Sequence, residues 1–284
     1  MDEYLIGDLL LQVPECGVEF YYAPHMERFR HDGTGEHESI LFSGAIQPLA
    51  QYLTKPLGKD NGVYQPFLAG DEQVLVYHWG RLRYGFAVKP ETFNVLFDSK
   101  MTQQVPLNTD WFFGVSGLHR QLLLRGASIL HASYIERNGK AILFTAPSQT
   151  GKSTQAMLWE QHAEAQIING DRALLRQREG AWHAYGFPCC GSSRICVNRT
   201  LPLAAIVVLE QGPENRVVSM SAMEKVKALV TGMEFYHWDQ MEMNLVLQQA
   251  TQLAEQVQIV RLVCRPDEGA VHCLKSYLES EGFI

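Results

Sequence analysis

A Gly-Lys-Ser-Thr quartet, Gly151 to Thr154, is the stretch of this sequence best suited to chemistry. It closes the run Ala146-Pro147-Ser148-Gln149-Thr150-Gly151-Lys152-Ser153-Thr154, set between an apolar segment, Ala141-Ile142-Leu143-Phe144, and an amphipathic one reaching about Gln161. The apolar segment reads as a short buried strand. The amphipathic one reads as a helix starting at Lys152, with Ala156, Leu158 and Trp159 among its apolar positions. A strand feeding a helix through a tight loop that ends Gly-Lys-Ser is the layout of a phosphate-binding loop, or P-loop. There, backbone N–H groups converge on an anion that the helix dipole also favours. Lys152 adds an ammonium for the β- and γ-phosphates, and Ser153 a hydroxyl for Mg²⁺.

Two positions depart from the usual pattern. Ala146 stands where such loops open with Gly, and Gln149 where a second Gly is common. Glycine reaches φ > 0 at little cost, so Ala146 and Gln149 must either keep φ < 0 or carry strain.

A second apolar segment, Gln166-Ile167-Ile168-Asn169-Gly170-Asp171, follows one helix later and ends in an acid. An acid at such a strand end reaches Mg²⁺ or the attacking group in phosphoryl transfer, although Asn-Gly-Asp is also good turn chemistry. His131, before the first strand, reads equally as a core histidine or as a group that polarises an acceptor hydroxyl.

His131-Ala132-Ser133, a strand, the loop and an acid-tipped strand together resemble the HPr kinase/phosphorylase superfamily. The resemblance covers roughly Leu118 to Leu278 and extends, in the loop, to phosphoenolpyruvate carboxykinase. It implies catalytic roles for His131, Lys152 and Asp171, nucleotide contacts along Ala146 to Thr154, Mg²⁺ on Ser153 and Asp171, and ATP as donor. Such kinases carry an Asp-Asp pair; here it reads Gly170-Asp171, leaving only Asp171 for the role. The Glu-x-Arg-Gly segment of true HPr kinases is replaced by Tyr185 to Arg194, so the divergent HPr-kinase-like serine kinases match better. Members of the superfamily often assemble, which makes a homo-oligomer an expectation.

The elements that must position these residues can be read in outline. Strands over Gly17–Tyr22, Gln73–Trp79 and Leu82–Val88, the last two joined at Gly80-Arg81, predict a smaller β-rich N-terminal domain over residues 1–105. The polar stretch Arg30 to Glu38 reads as a solvated turn. Pro106 to Asp110 predicts a linker, and Asp110 the cap of a helix from Trp111 to Arg125 that Gly126 stops. The Trp-Phe-Phe cluster at its start is expected to pack against the nucleotide domain. Strands alternating with helices after Leu130 predict an α/β P-loop domain over residues 106–284. Its later elements are a hairpin turning at Glu179-Gly180, a strand over Leu203–Leu209 and a helix through Val230 capped by Ser221 and Glu224. A helix over Gln240–Gln256, a strand over Val257–Cys264 and a helix over Glu268–Leu278 follow. Between hairpin and strand, the Phe187 to Arg194 loop has small residues that permit close approach. Ser192, Ser193 and Arg194 are candidate substrate contacts, with Glu210 a further one or simply a salt-bridge partner. Adjacent Cys189 and Cys190 make poor chelates.

The chain of 284 residues is 46% hydrophobic, enough for a sizeable core, and its formal charge of -7 argues against nucleic acid or anionic membrane as partner. Acidic Met1-Asp2-Glu3 is unlike a signal peptide, no apolar run approaches a membrane span, and six cysteines without a CxxC suit a reducing cytoplasmic setting. The sequence reading is therefore an ATP-dependent kinase for a serine-type hydroxyl of a peptide or protein. Its rivals are a kinase for a small hydroxylated metabolite such as free serine, and an ATP-sensing regulatory module without transfer activity.

Overall fold

The computed structural model describes the chain except residues 16, 18, 19, 22, 23, 34, 80, 81, 90, 101–106, 109–111, 114 and 115. It divides into two compact units, Met1–Gln121 and Leu122–Ile284. The predicted turn at Gly80-Arg81 and the predicted cap at Asp110 lie outside the described residues. So does most of the predicted linker.

The first unit runs β1 (Asp2–Ile6), β2 (Leu9–Val13), β3 (Phe20–Tyr21), a one-turn helix α1 (Pro24–Glu27), β4 (Glu38–Leu41), β5 (Ser43–Ile46), β6 (Lys55–Pro56) and β7 (Tyr64–Ala69). It continues with β8 (Glu72–Trp79), β9 (Leu82–Lys89), β10 (Asn94–Phe97) and β11 (Leu107–Asn108). A six-stranded sheet in the order β5-β10-β9-β8-β7-β6 carries its bulk. Valines at Val74 and Val76 alternate with Leu75 and Tyr77, and all four are buried, so β8 is covered on both faces. Phe112 and Phe113 make edge or tilted contacts with Phe42, and Phe112 also with Phe86 and Phe97. These partners lie inside the first unit.

The predicted helix over Trp111–Arg125 is shorter: α2 spans Leu118–Leu123. Gly117, at φ 90, puts a turn before it that a continuous helix could not pass. Gly126, at φ 75, follows it as expected.

The second unit is mixed α/β. It contains β12 (Ala127–Arg137), β13 (Lys140–Thr145), α3 (Lys152–His162), β14 (Gln166–Asn169), β15 (Arg172–Arg178), β16 (Ala181–Tyr185) and β17 (Thr200–Gln211). After these come β18 (Arg216–Ser219), α4 (Ala222–Gly232), α5 (Gln240–Gln256), β19 (Gln258–Cys264) and α6 (Glu268–Ser280). The strand order is β13-β12-β15-β16-β17-β19-β18, with β14 on β12 and β13 also parallel to β17. One core joins Leu130, Tyr134 and Ile206 to Leu229 of α4 and Val246, Ala250 and Leu253 of α5. Another joins Ile142, Phe144 and Val207 to Ala156 and Trp159 of α3 and Leu274 of α6. Each large apolar side chain so buried stabilises the fold by about 1.5–3 kcal/mol. The β15–β16 turn has Glu179 at φ 53 and Gly180 at φ 81, the paired positive angles that a two-residue hairpin favours.

β12 pairs through His131 with β15 and from Ala132 onward with β13. His131 therefore sits where one strand hands over from one neighbour to the other.

Candidate functional site

The loop from Ala146 to Gly151 leaves β13 and enters α3 with Gly151 at φ 112 as the residue before the first helical turn. Helices α4, α5 and α6 begin with a side-chain cap from Ser221, Asp239 and Asp267 respectively. α3 has none, so its first N–H groups have no side-chain acceptor. Gln149 takes the strained option left open by the sequence, standing at φ 64, whereas Ala146 stays out of the left-handed region.

Lys152 is buried, at 7% exposure, and its Nζ donates to the loop's own carbonyls, Ala146 O at 3.0 Å and Pro147 O at 3.4 Å. Burial pulls its pKa below the ordinary lysine value, and the nearby Asp171 charge opposes that pull. Ser153 and Thr154 stand exposed beside it in the first turn.

Asp171 reaches this region through register. His131 pairs with Arg172 across β12 and β15, and Ala132 N donates to Asp171 O at 3.0 Å. His131 Nε2 thereby lies 3.2 Å from Asp171 Oδ1, and Arg172 Nη1 donates to Asp171 Oδ2. Thr145 Oγ1, at the mouth of the loop, donates to His131 O at 3.0 Å, tying the three segments together. His131 is in mid-strand and 39% exposed at its side chain, so it is not a core histidine.

The hydrogen bond from His131 does most to hold the Asp171 carboxyl below its usual range; partial burial opposes this, and Arg172 adds to the lowering. Asn169 is fully buried and shapes the turn beneath: its Oδ1 accepts from the N–H groups of Asp171 and Arg172, both at 2.9 Å, and its Nδ2 donates to Phe187 O and Cys189 O. Asn-Gly-Asp is thus turn chemistry and also the support of an acid.

The Phe187–Arg194 loop closes on this turn. A Cβ on Gly170 would collide with the Ser193 side chain, and one on Gly191 would come within 2.8 Å of Asp171 Cγ. No second acid could occupy position 170 with Ser193 in place. Ser193 Oγ donates to Cys190 O at 2.7 Å and accepts from Ile195 N, so its hydroxyl serves the loop. Ser192 is exposed, as is Arg194, at φ 56. Cys189 and Cys190 are buried. Glu210 lies away from this turn, its Oε2 3.4 Å from Arg261 Nε.

Several participants were not singled out from sequence. Arg172 also binds Glu234 through Nε, and although burial depresses its pKa, Glu234, Cys189 and Asp171 together hold it above the ordinary value. Its adjacency to Asp171 was the available signal. Two cavities flank the loop. One, of about 510 Å³, is lined by His131 and Ala146–Ser148 on the loop side and by Lys227 and Thr231 of α4 opposite. The other, of about 400 Å³, touches Gln149, Gly151, Thr154 and Gln155 of the loop and helix, with Gln211 and Arg265 beyond.

Among the described residues no group of three or more His, Cys, Asp or Glu is arranged to hold a metal. Ser153 and Asp171 offer one hydroxyl and one carboxylate, whose two oxygens keep lone pairs beyond the bonds to His131 and Arg172. That sparse oxygen set fits a hard cation such as Mg²⁺, which takes one or two protein oxygens and fills its octahedron with water and phosphate. Among the described residues, no helix is long and apolar enough to cross a membrane.

A solved structure similar to this chain is the Hpr(Ser) kinase/phosphatase from Coxiella burnetii, 14% identical over 55% of this chain and 93% of that one. Its TM-score of 0.30 is too low to bear on fold or chemistry. No curated protein matches. Residues 100–266, more than half of the chain, match the family described as SynChlorMet cassette protein ScmC, and the chain belongs to that family.

Proposed function

We propose that this protein is an ATP-dependent kinase that phosphorylates a serine-type hydroxyl of a peptide or protein. The observation that carries the reading is the register of β12, which sets His131 beside both Asp171 and the mouth of the Lys152 loop. In this reading the loop amides and the uncapped start of α3 hold the β- and γ-phosphates. Lys152 exchanges its two loop carbonyls for phosphate oxygens. Ser153 and Asp171 would hold Mg²⁺, which would supply charge neutralisation for the transferred group.

Asp171 is kept ionised by His131 and Arg172, and a carboxylate of lowered pKa is a weak proton acceptor. Its main work is to orient the acceptor hydroxyl, with His131 holding the carboxylate in place. Positioning suffices because phosphoryl transfer passes through a loose transition state that asks little proton removal beforehand.

The sensor reading is favoured by a different observation, the positive φ at Gln149, which makes the loop a strained host for phosphate. Incubation with γ-labelled ATP·Mg²⁺ and serine-containing peptides separates the two. Label on a peptide, lost in Asp171→Asn, is expected. Tight ATP binding with neither turnover nor label on any acceptor would mean a sensor.

A further inference from the structure

Resting on the kinase reading, we infer that the cavity between the loop and α4 is the acceptor site, and that it takes a hydroxyl substrate bearing a carboxylate, anchored by Lys227. The two cavities meet different parts of the loop. The larger reaches Ala146–Ser148 and His131; the smaller reaches Gly151, Thr154 and Gln155. In-line transfer needs donor and acceptor on opposite sides of the phosphate. The cavity that contains His131, bonded to Asp171, is the acceptor side.

Helix α4 presents Glu224, Lys227, Ala228 and Thr231 to that cavity, the i, i+3, i+4, i+7 stripe of one face. Three of the lining residues other than His131 are charged. Two of them are matched to each other: Arg261 Nη2 lies 3.2 Å from Glu224 Oε1, and Arg261 Nε also meets Glu210. Glu224 is further engaged by Ser221 in the helix cap. Lys227 forms no ion pair among the described residues, so its exposed ammonium is the one lining cation not engaged by a carboxylate. Val208, Met220 and Ala228 add apolar surface to a lining that also carries the hydroxyls of Thr145, Ser148 and Thr231. A volume of about 510 Å³ suits a small molecule or the end of a chain, not a folded surface. A serine-type acceptor brings a carboxylate with it when it is a free amino acid or the last residue of a peptide.

The experiment is calorimetric titration of the full chain with O-phospho-L-serine, with a pentapeptide ending in serine, and with the same peptide amidated at its C-terminus. Each is run with and without ADP·Mg²⁺, for the parent and for Lys227→Gln. The expected result is that phosphoserine or the free-acid peptide binds at least about tenfold tighter than the amide, the scale of one charge-assisted hydrogen bond. Lys227→Gln should abolish that preference and leave ADP affinity unchanged. Whichever acid binds identifies the source, free amino acid or chain terminus. Equal binding of acid and amide, no binding of any probe, or a preference that survives in Lys227→Gln overturns the inference. Failure of the parent to bind ADP would instead count against the kinase reading, while the acid-over-amide comparison without nucleotide still decides the role of Lys227.

Discussion

The loop and the strand end hold opposite charges in opposite ways. At the loop, the Lys152 ammonium is buried against two neutral carbonyls, and burial lowers its pKa. At the strand end, the Asp171 carboxylate is hydrogen-bonded by His131 and paired with Arg172, and those partners lower its pKa. The same direction of shift means different things. For the acid it says that the charge is stabilised in the fold; for the lysine it says that the charge is penalised. A penalised cation gains by meeting an anion, which is what the proposed phosphate would supply. A stabilised carboxylate is already in its working state. In the kinase proposal, the first region would gain from an anionic ligand, and the second would already hold its charge.

Substitutions can break each half of that contrast. The largest effect is expected from Asp171→Asn, which keeps size but removes the charge: about 10²–10⁴ in single-turnover rate, with nucleotide affinity largely intact. Transfer within a few-fold of the parent would reduce Asp171 to a turn residue. Lys152→Ala should weaken ATP·Mg²⁺ binding by about tenfold to a hundredfold, the scale of charged hydrogen bonds to phosphate. Unchanged affinity by calorimetry in a folded mutant would show that the ammonium never leaves its carbonyls.

Arg172→Met tests whether the acid is prearranged. It strands Glu234 and loosens Asp171, and should cost about 1–3 kcal/mol in denaturant unfolding, less than a fully buried pair because 27% of the side chain is exposed. The acid limb of the pH–rate profile should also move upward, since a charge that favours ionised Asp171 is gone. A pH limb at its parental position would show that Arg172 is not needed to hold the acid ionised.

The linkage has one sign in both regions, because in each the unfolded chain binds the proton more tightly. Stability from Asp171 is present above its ordinary pKa of 3.8 and is lost as pH falls through the lowered folded value. The cost of charged Lys152 is present below its lowered folded pKa and relieved as pH rises toward 10.5. Denaturant melts against pH should therefore lose their acid-side slope in Asp171→Asn and their alkaline-side slope in Lys152→Ala. The smallest effect is expected from Gln149→Gly. Relief of the positive φ, offset by glycine's extra freedom when unfolded, leaves a gain of about 1 kcal/mol or less. A loss of stability there would mean that the glutamine side chain does something the backbone does not reveal.

Local order was plainly legible. The Ser221–Glu224 box, the Glu179-Gly180 turn and the strands at Ala141–Phe144 and Leu203–Leu209 each depend on residues adjacent in sequence, and each appears in the structure. The helix predicted over Trp111–Arg125 is interrupted at Gly117, because apolar spacing alone does not register a glycine at φ 90. The phenylalanine pair shows a related limit of periodicity. Periodicity says that Phe112 and Phe113 are buried, but not against what.

What the sequence determined by itself is the Gly-Lys-Ser loop between strand and helix and an acid at the end of the next strand, both set by local backbone preference and hydrophobic period. Tertiary structure alone decided that His131 faces Asp171, that Arg172 joins Asp171 to Glu234, and that Ser193 fills the space above Gly170. These meetings span 40, 62 and 23 positions and depend on strand register, where a slip of one residue would turn His131 to the opposite face. Register follows from how the whole of β12 divides its pairing among β13, β14 and β15, and no window of sequence around His131 contains that information.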